Sequence, residues 1–342
     1  MTRHHRFGMR YTVIPLAVLT TVLLATVSGR AADIDPIDPY LPEDTEFVVN
    51  VNVRQILDSA LIKKNALEAA QEALRGNDQI QDILKELGFD PFKDLDRVLA
   101  ASPGGAEEDR GLIIAHGRFD AAKFQAKAEQ VAKEDAEHLK IHKILGGKHL
   151  LYEVTTPELD SPLFVVLAGK DKDTILASPG KDYVVEALKK AGKTDKPQLK
   201  NKDFQALLEK IDGQRLSLSV ALVKSKGVKK ALDGLQGDVK GMVEKVQSLG
   251  GGVKITDGVK LELVVTAKNA QEAKDLKDSA NAGLTALTLI LNTLAQNDAK
   301  PEMEFLLEAA KSLRVKTEDS TVVITGRISS DLIEDTLKKK GK

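Results

Sequence analysis

Tight turns constrain this chain more than any other feature. Gly146-Gly147 separates two apolar, alternating segments, Leu139–Leu145 and Lys148–Val154, and Asp257-Gly258 divides a second pair within Gly252–Thr266. A two-residue turn can only join antiparallel strands, because a parallel pair needs a crossover of about a dozen residues. Leu163–Leu167 with Thr174–Ala177, around Lys170–Asp173, and Arg314–Thr317 with Thr321–Thr325 read as further hairpins. Helical periodicity fills the intervals at 63–75, 78–87, 180–191, 202–211, 270–297 and 301–312, and in a final helix reaching Lys339. Gly88 fits a C-cap, and Asp120 fits the N-cap of a helix ending near Glu134. This pattern predicts an α+β fold of mostly antiparallel sheet with helices packed on one face.

Three more segments place the ends of this framework. Phe47–Val53 alternates, with Asn50 and Asn52 on the opposite side from the valines, and leads into a helix containing Ile56, Leu57, Ala60 and Leu61. Asp90-Pro91 starts a short helix through Leu95, and Gly111–His116 is a strand. Leu216–Val223 is a strand expected to run straight into a helix. Gly117-Arg118-Phe119-Asp120 and Gly326-Arg327-Ile328-Ser329 each close a strand before a helix, which suggests two similar halves. The polar stretch Gly192–Lys200, with Pro197, marks the expected boundary, giving halves at 47–195 and 200–342. If each half has an open second sheet face, a partner or apolar ligand is expected to dock there.

The N-terminus carries an address. Arg3, Arg6 and Arg10 precede an uncharged apolar run, Tyr11–Val27, and small residues follow through Ala32. That is the secretory signal pattern, with cleavage expected after Ala31, so residues 1–31 are read as a signal peptide. The alternative is an uncleaved N-terminal membrane anchor, for which the run is short of the ~20 residues needed. Localisation is thus expected in the periplasm or outside the cell. The acidic, proline-punctuated segment 32–46 reads as a linker; Asp33, Asp35 and Asp38 lack the glycine and distal glutamate of a calcium loop. Removing the four arginines of residues 1–31 from the chain's 50 basic residues leaves 46 against 51 acidic, a net charge of −5. This argues against a nucleic-acid partner, which usually shows a basic footprint. Cysteine is absent, which removes disulfides and thiol chemistry, and aromatics are 4% of the chain, few for stacking sugars or bases.

Candidate chemistry is sparse. His116, His138, His142 and His149 are the histidines after the signal. His138 and His142 share a face whether the segment is helix or strand, and Glu134 or Glu137 could complete a zinc site, but no spacing fixes a third ligand. They read as surface histidines. Ser178-Pro179-Gly180-Lys181 matches a serine–lysine motif without its companions, and reads instead as a helix N-cap at Ser178 with Pro179 at N1. Gly192-Lys193-Thr194 lacks the upstream glycine of a phosphate loop, and Gly250-Gly251-Gly252 precedes a strand rather than a helix. Leu284, Leu287, Leu289, Ile290, Leu291 and Leu294 make a helix apolar nearly all round, expected to be buried centrally; the alternative is an exposed partner or lipid-contact face. The tail Lys338-Lys339-Lys340-Gly341-Lys342 reads as a solvated end.

Leu41-Pro42-Glu43-Asp44-Thr45-Glu46-Phe47-Val48-Val49, Gly88-Phe89-Asp90-Pro91-Phe92-Lys93-Asp94-Leu95-Asp96 and Gly117-Arg118-Phe119-Asp120 together resemble exported bacterial proteins of unknown function, of the planctomycete type and similar to the family DUF3352. The resemblance covers most of the chain after the signal and rests on turns and caps. It implies an exported protein without an established activity and supplies no catalytic residues. The reading is therefore a non-catalytic binding or structural protein of the periplasm or cell envelope, with an envelope protein or apolar ligand as partner. No stable membrane span is expected after signal cleavage. The alternative is a hydrolase or transferase whose site is assembled from scattered residues. No catalytic, cofactor-binding or metal-ligating residue is assigned.

Overall fold

The computed structural model of the chain describes residues 37–104, 108–157, 159–192, 198–211, 213, 215–224, 238–297 and 301–340. It is a mixed helix-and-strand structure built on one twelve-stranded antiparallel sheet. The strands are β1 (Phe47–Val51), β2 (Leu95–Ser102), β3 (Leu112–Gly117), β4 (Leu139–Ile144), β5 (His149–Val154), β6 (Leu163–Ala168), β7 (Thr174–Ser178), β8 (Leu218–Val223), β9 (Val246–Ile255), β10 (Val259–Ala267), β11 (Arg314–Glu318) and β12 (Thr321–Ile328). Across the sheet they run β11-β12-β10-β9-β8-β1-β2-β3-β7-β6-β5-β4. The helices are α1 (Val53–Asp58), α2 (Ala60–Asn65), α3 (Leu67–Arg75), α4 (Asp78–Leu87), α5 (Pro91–Asp94), α6 (Ala121–Glu134), α7 (Lys181–Ala191), α8 (Lys202–Ile211), α9 (Asp238–Lys245), α10 (Ala270–Asn297), α11 (Pro301–Ser312) and α12 (Ser330–Lys340).

The sheet does not break between the two halves of the chain. β1 pairs with β8 along its length, from Phe47 opposite Leu222 to Val51 opposite Leu218. Of the expected boundary, residues 193–197 lie outside the described residues. On either side of it, Val184, Ala187 and Leu188 of α7 and Phe204, Leu207 and Ile211 of α8 enter one core on the first face of the sheet. Residues on the second face pack against α1, α5 and α6, through Val53, Ile56, Leu57, Phe92 and Ala128, and farther along against α10. The expectation of helices on one face therefore gives way to helices on both. The physical reason is visible in β6 and β7: Val165 and Ile175 face one side, Val166 and Leu176 the other, and all four are buried. A strand apolar on both sides needs cover on both.

Residues 37–46, expected to be linker, are part of that first-face core. Ile37, Leu41 and Thr45 are buried, and Asp38 is 1% exposed. Strand β2 was not foreseen, because Arg97 interrupts its alternation; the side chain is buried, held in an ion pair with Asp38. Asn50 and Asn52 are buried too. Their amides donate to Gly213 O at 2.8 and 2.9 Å, and Asn52 also to Leu216 O at 2.6 Å, which ties the α8–β8 turn to the sheet centre. The helix expected directly after β8 falls on residues 225–237, outside the described residues.

The three glycines at 250–252 lie inside β9 because nothing larger fits. A Cβ on Gly250 would sit 2.0 Å from Ile211 Cδ1, and one on Gly252 would sit 2.0 Å from Leu218 O. The first lets α8 lie directly on the sheet. The β4–β5 turn is wider than two residues: Ile144 stands opposite His149, with Gly146 and Gly147 both at positive φ.

Candidate binding surface

The histidines disperse rather than converge. His138 Nδ1 lies 2.8 Å from Asp135 Oδ1, within the turn before β4. His142 Nε2, on β4, lies 2.7 Å from Glu153 Oε2 on β5. That hydrogen bond, assisted by Lys140, holds Glu153 below the usual carboxylate range. Neither Glu134 nor Glu137 joins the pair. His149 stands at the start of β5, where burial and then the charge of Lys172 lower its pKa. Among the described residues no group of three or more histidine, aspartate or glutamate side chains is arranged to hold a metal ion.

His116 takes part in a polar cluster of the first-face core. Its Nε2 is 2.6 Å from Asp38 Oδ2, and its Nδ1 is 3.2 Å from Thr174 Oγ1. Arg97 Nη2 donates to the same Asp38 oxygen, and the Tyr40 amide donates to Asp38 Oδ1 at 3.0 Å. Burial by itself raises the Asp38 pKa. His116, by charge and hydrogen bond, then Arg97 and the Tyr40 amide, outweigh it and hold the group at about 2. The Thr174–His116–Asp38 chain has the connectivity of a nucleophile, base and orienting acid. It is a staple instead. Thr174 is 2% exposed and its hydroxyl donates to Asp173 Oδ1 at 3.1 Å, so no nucleophile faces solvent. The cluster fastens residues 37–46 to β2, β3 and β7. A second fastening joins Arg110 to Asp44, which also accepts from the Tyr183 hydroxyl at 3.2 Å.

Ser178 is buried at the end of β7, where its Oγ accepts from the Gly180 amide at 3.0 Å. Helix α7 begins at Lys181 with Gly180 in the N-cap position, so Ser178 and Pro179 precede the cap rather than forming it. The residue pair of the serine–lysine motif is separated, with Lys181 exposed on the helix. Lys193 and Thr194 lie outside the described residues.

The apolar helix is where the structure departs most from expectation. Ala273 and Leu276 of α10 pack on Val322 of β12, and farther along Leu291 packs on Leu307 and Ala310 of α11. This uses one stripe of the helix. Leu289 is 67% exposed and Ile290 56%; Leu287, Leu294 and Leu306 of α11 are also exposed. The four on α10 lie within a stretch free of charge from Ser279 to Asn297: Leu287, Ile290 and Leu294 share one face, the ridge of the α10–α11 hairpin, Leu289 stands about 100° round the helix from Ile290, and Leu306 belongs to α11. The central burial expected for 284–294 is thus corrected: the hairpin closes over Leu291, and no other described element covers the outer stripe. Covering these five roughly half-exposed side chains would contribute about 4–7 kcal/mol before the costs of association. No described helix is long and apolar enough to cross a membrane.

Comparison with protein-family models, with curated proteins and with solved structures finds no match.

Proposed function

We propose that this chain is an exported, non-catalytic binding or structural protein of the periplasm or cell envelope, which seats a partner protein or apolar ligand on the α10–α11 ridge. The exposure of Leu289 and Ile290 inside an uncharged stretch is the observation that carries it. Contiguous exposed apolar side chains mark interaction sites more often than they mark bare surface. The charged head, apolar run and small residues of positions 1–32 support export.

The proposal includes two halves of related topology. Outward from the centre the order is β1-β2-β3-β7-β6 on one side and β8-β9-β10-β12-β11 on the other, with β5 and β4 additional at one edge. This supports equating Phe47–Val51 with Leu218–Val223. The two Gly-Arg segments do not add to it: Gly117 ends the third strand from the centre, and Gly326 lies in the fourth.

The test is capture from an envelope fraction with the chain beginning at Ala32, beside the variant Leu289→Asp/Ile290→Asp. A partner retained by the first and lost by the second, at equal melting temperature, supports the proposal. Equal capture by both refutes the ridge. N-terminal sequencing of the native protein tests export: Ala32 is expected, and Met1 in the cytosol refutes it.

A further inference from the structure

Among the described residues no helix covers the first face of the sheet beyond α8, and there the fold places positive charge in a row. Lys254 on β9 stands opposite Lys260 on β10, which stands opposite Arg327 on β12. Side chains in register on one face are nearest neighbours, and like charges so placed destabilise a sheet. The row spans two strand spacings, roughly 10 Å. Lys210 at the end of α8 and Arg215 in the following turn approach from the side, and the five cations line a groove of about 520 Å³ with buried Ile211 and Leu216. Among the described residues Lys254, Lys260 and Arg327 form no ion pair, although the charge of Arg327 reaches Asp257 in the β9–β10 turn and, after the Thr256 and Gly258 hydrogen bonds, helps lower its pKa. Glu262, one row away on β10, is the acidic side chain lining the groove; it stands opposite Thr325. This concentration occurs on a chain whose net charge is negative.

We infer that this groove binds a small ligand carrying several linked phosphate groups, an oligophosphate. Three features select that class. A single oxyanion cannot meet cations spread over roughly 10 Å, whereas a chain of phosphates laid across the strands meets each in turn. Arg327 offers the planar fork that matches phosphate oxygens, and the lysines offer point charges that accept any phosphate geometry. No described residue lining the groove is aromatic, so a base or sugar finds no face on which to stack. Glu262 flanks the middle of the row on β10, so it repels an anion laid along that strand and keeps the ligand running across the strands. The ligand differs in chemistry from the apolar partner of the ridge, and the two sites rest on separate observations.

Calorimetric titration of the chain from Ala32 in low-salt buffer tests the site, with inorganic tripolyphosphate, monophosphate and ATP as probes. Tripolyphosphate is expected to bind with a sub-millimolar Kd that weakens as salt is added. Monophosphate should bind at least about tenfold more weakly, and ATP within about threefold of tripolyphosphate. Lys260→Ala and Arg327→Ala should each weaken tripolyphosphate about three- to tenfold, while Glu262→Gln should tighten it about two- to fivefold. Lys140→Ala, on the far edge strand, should change nothing. All these side chains are exposed, so the variants should fold and melt within a few degrees of the parent, Lys260→Ala and Arg327→Ala no lower than it because each relieves like-charge repulsion. Failure of tripolyphosphate to bind, equal affinity for monophosphate, or indifference to both Lys260→Ala and Arg327→Ala would overturn the inference. ATP binding about tenfold tighter than tripolyphosphate would overturn recognition through phosphate alone.

Discussion

Replacing Asp38 by asparagine keeps the shape of a fully buried side chain and removes its charge. Arg97, itself buried, then loses its counter-ion, and its Nε already has no hydrogen-bond partner among the described residues. Removing one member of a buried pair costs about 3–5 kcal/mol, because the remaining charge stays out of water. The pH dependence separates out the carboxylate's own share. A native pKa of about 2, against the ordinary 3.8, corresponds to about 2 kcal/mol. A depressed carboxylate contributes that stability above its unfolded pKa and loses it as pH falls through the folded value. The parent protein should therefore lose about 2 kcal/mol more than Asp38→Asn between pH 4 and 2. Urea unfolding at pH 7 should show the variant about 3–5 kcal/mol less stable, with a melting temperature lower by about 6–15 °C for a chain of this size. Limited proteolysis should cut first within 37–46, since Asp38 fastens that segment. Asp38→Asn/Arg97→Met should recover much of the loss by removing the stranded charge. A cost below about 1 kcal/mol at pH 7, or parallel pH curves for parent and variant, would refute the account of the staple.

Gly252→Ala should destabilise by at least about 2 kcal/mol, read from urea unfolding, because the new methyl meets the Leu218 carbonyl at 2.0 Å, which is backbone and cannot swing aside. His142→Ala should cost less than about 1 kcal/mol, since the His142–Glu153 pair lies near the surface of an edge hairpin. A chelator should leave the melting temperature of the parent unchanged; a drop of several degrees restored by zinc would contradict the separate carboxylate partners of His138 and His142. Hydrogen exchange should find the β3, β6 and β7 amides the slowest and β11 the fastest of the strands, following where buried side chains are concentrated.

The hairpins were legible because turn chemistry is local: Asp257-Gly258 does turn β9 into β10, and Asp120 does cap α6, accepting from the Lys123 amide. What escaped was decided by long-range partners. β2 pairs β1 across some 50 residues, and its alternation is hidden by Arg97, whose partner Asp38 sits in a segment that looks like linker. Asn50 and Asn52 look like solvent-facing positions of a half-buried strand until the 213–216 turn brings carbonyls to them. The row at Lys254, Lys260 and Arg327 depends on the register of three strands, and the distance from 254 to 327 in sequence hides it. The ridge was visible as composition but was placed inside, since nothing local to 284–294 says how much of a helix its neighbour will cover.

Both candidate binding surfaces fall in the same region, and the distribution of the core explains why. The two large apolar clusters cover β1–β3 and β5–β7 on both faces, with little left to expose. Around β10–β12 the clusters shrink to a few residues on the second face, and on the first face Val264 still joins the large core while Lys260, Glu262 and Arg327 beyond it are exposed. Burial sets stability, so strands with little of it cannot be holding the sheet together. They extend the sheet beyond what its core requires. Such an extension presents two surfaces at once, a charged face on one side and an apolar helix hairpin on the other, supported by a rigid centre. The proposed ridge and groove share this platform and meet at α11, whose Ser312 lines the groove, and a change at either is expected to leave the core of β1–β3 and β5–β7 intact.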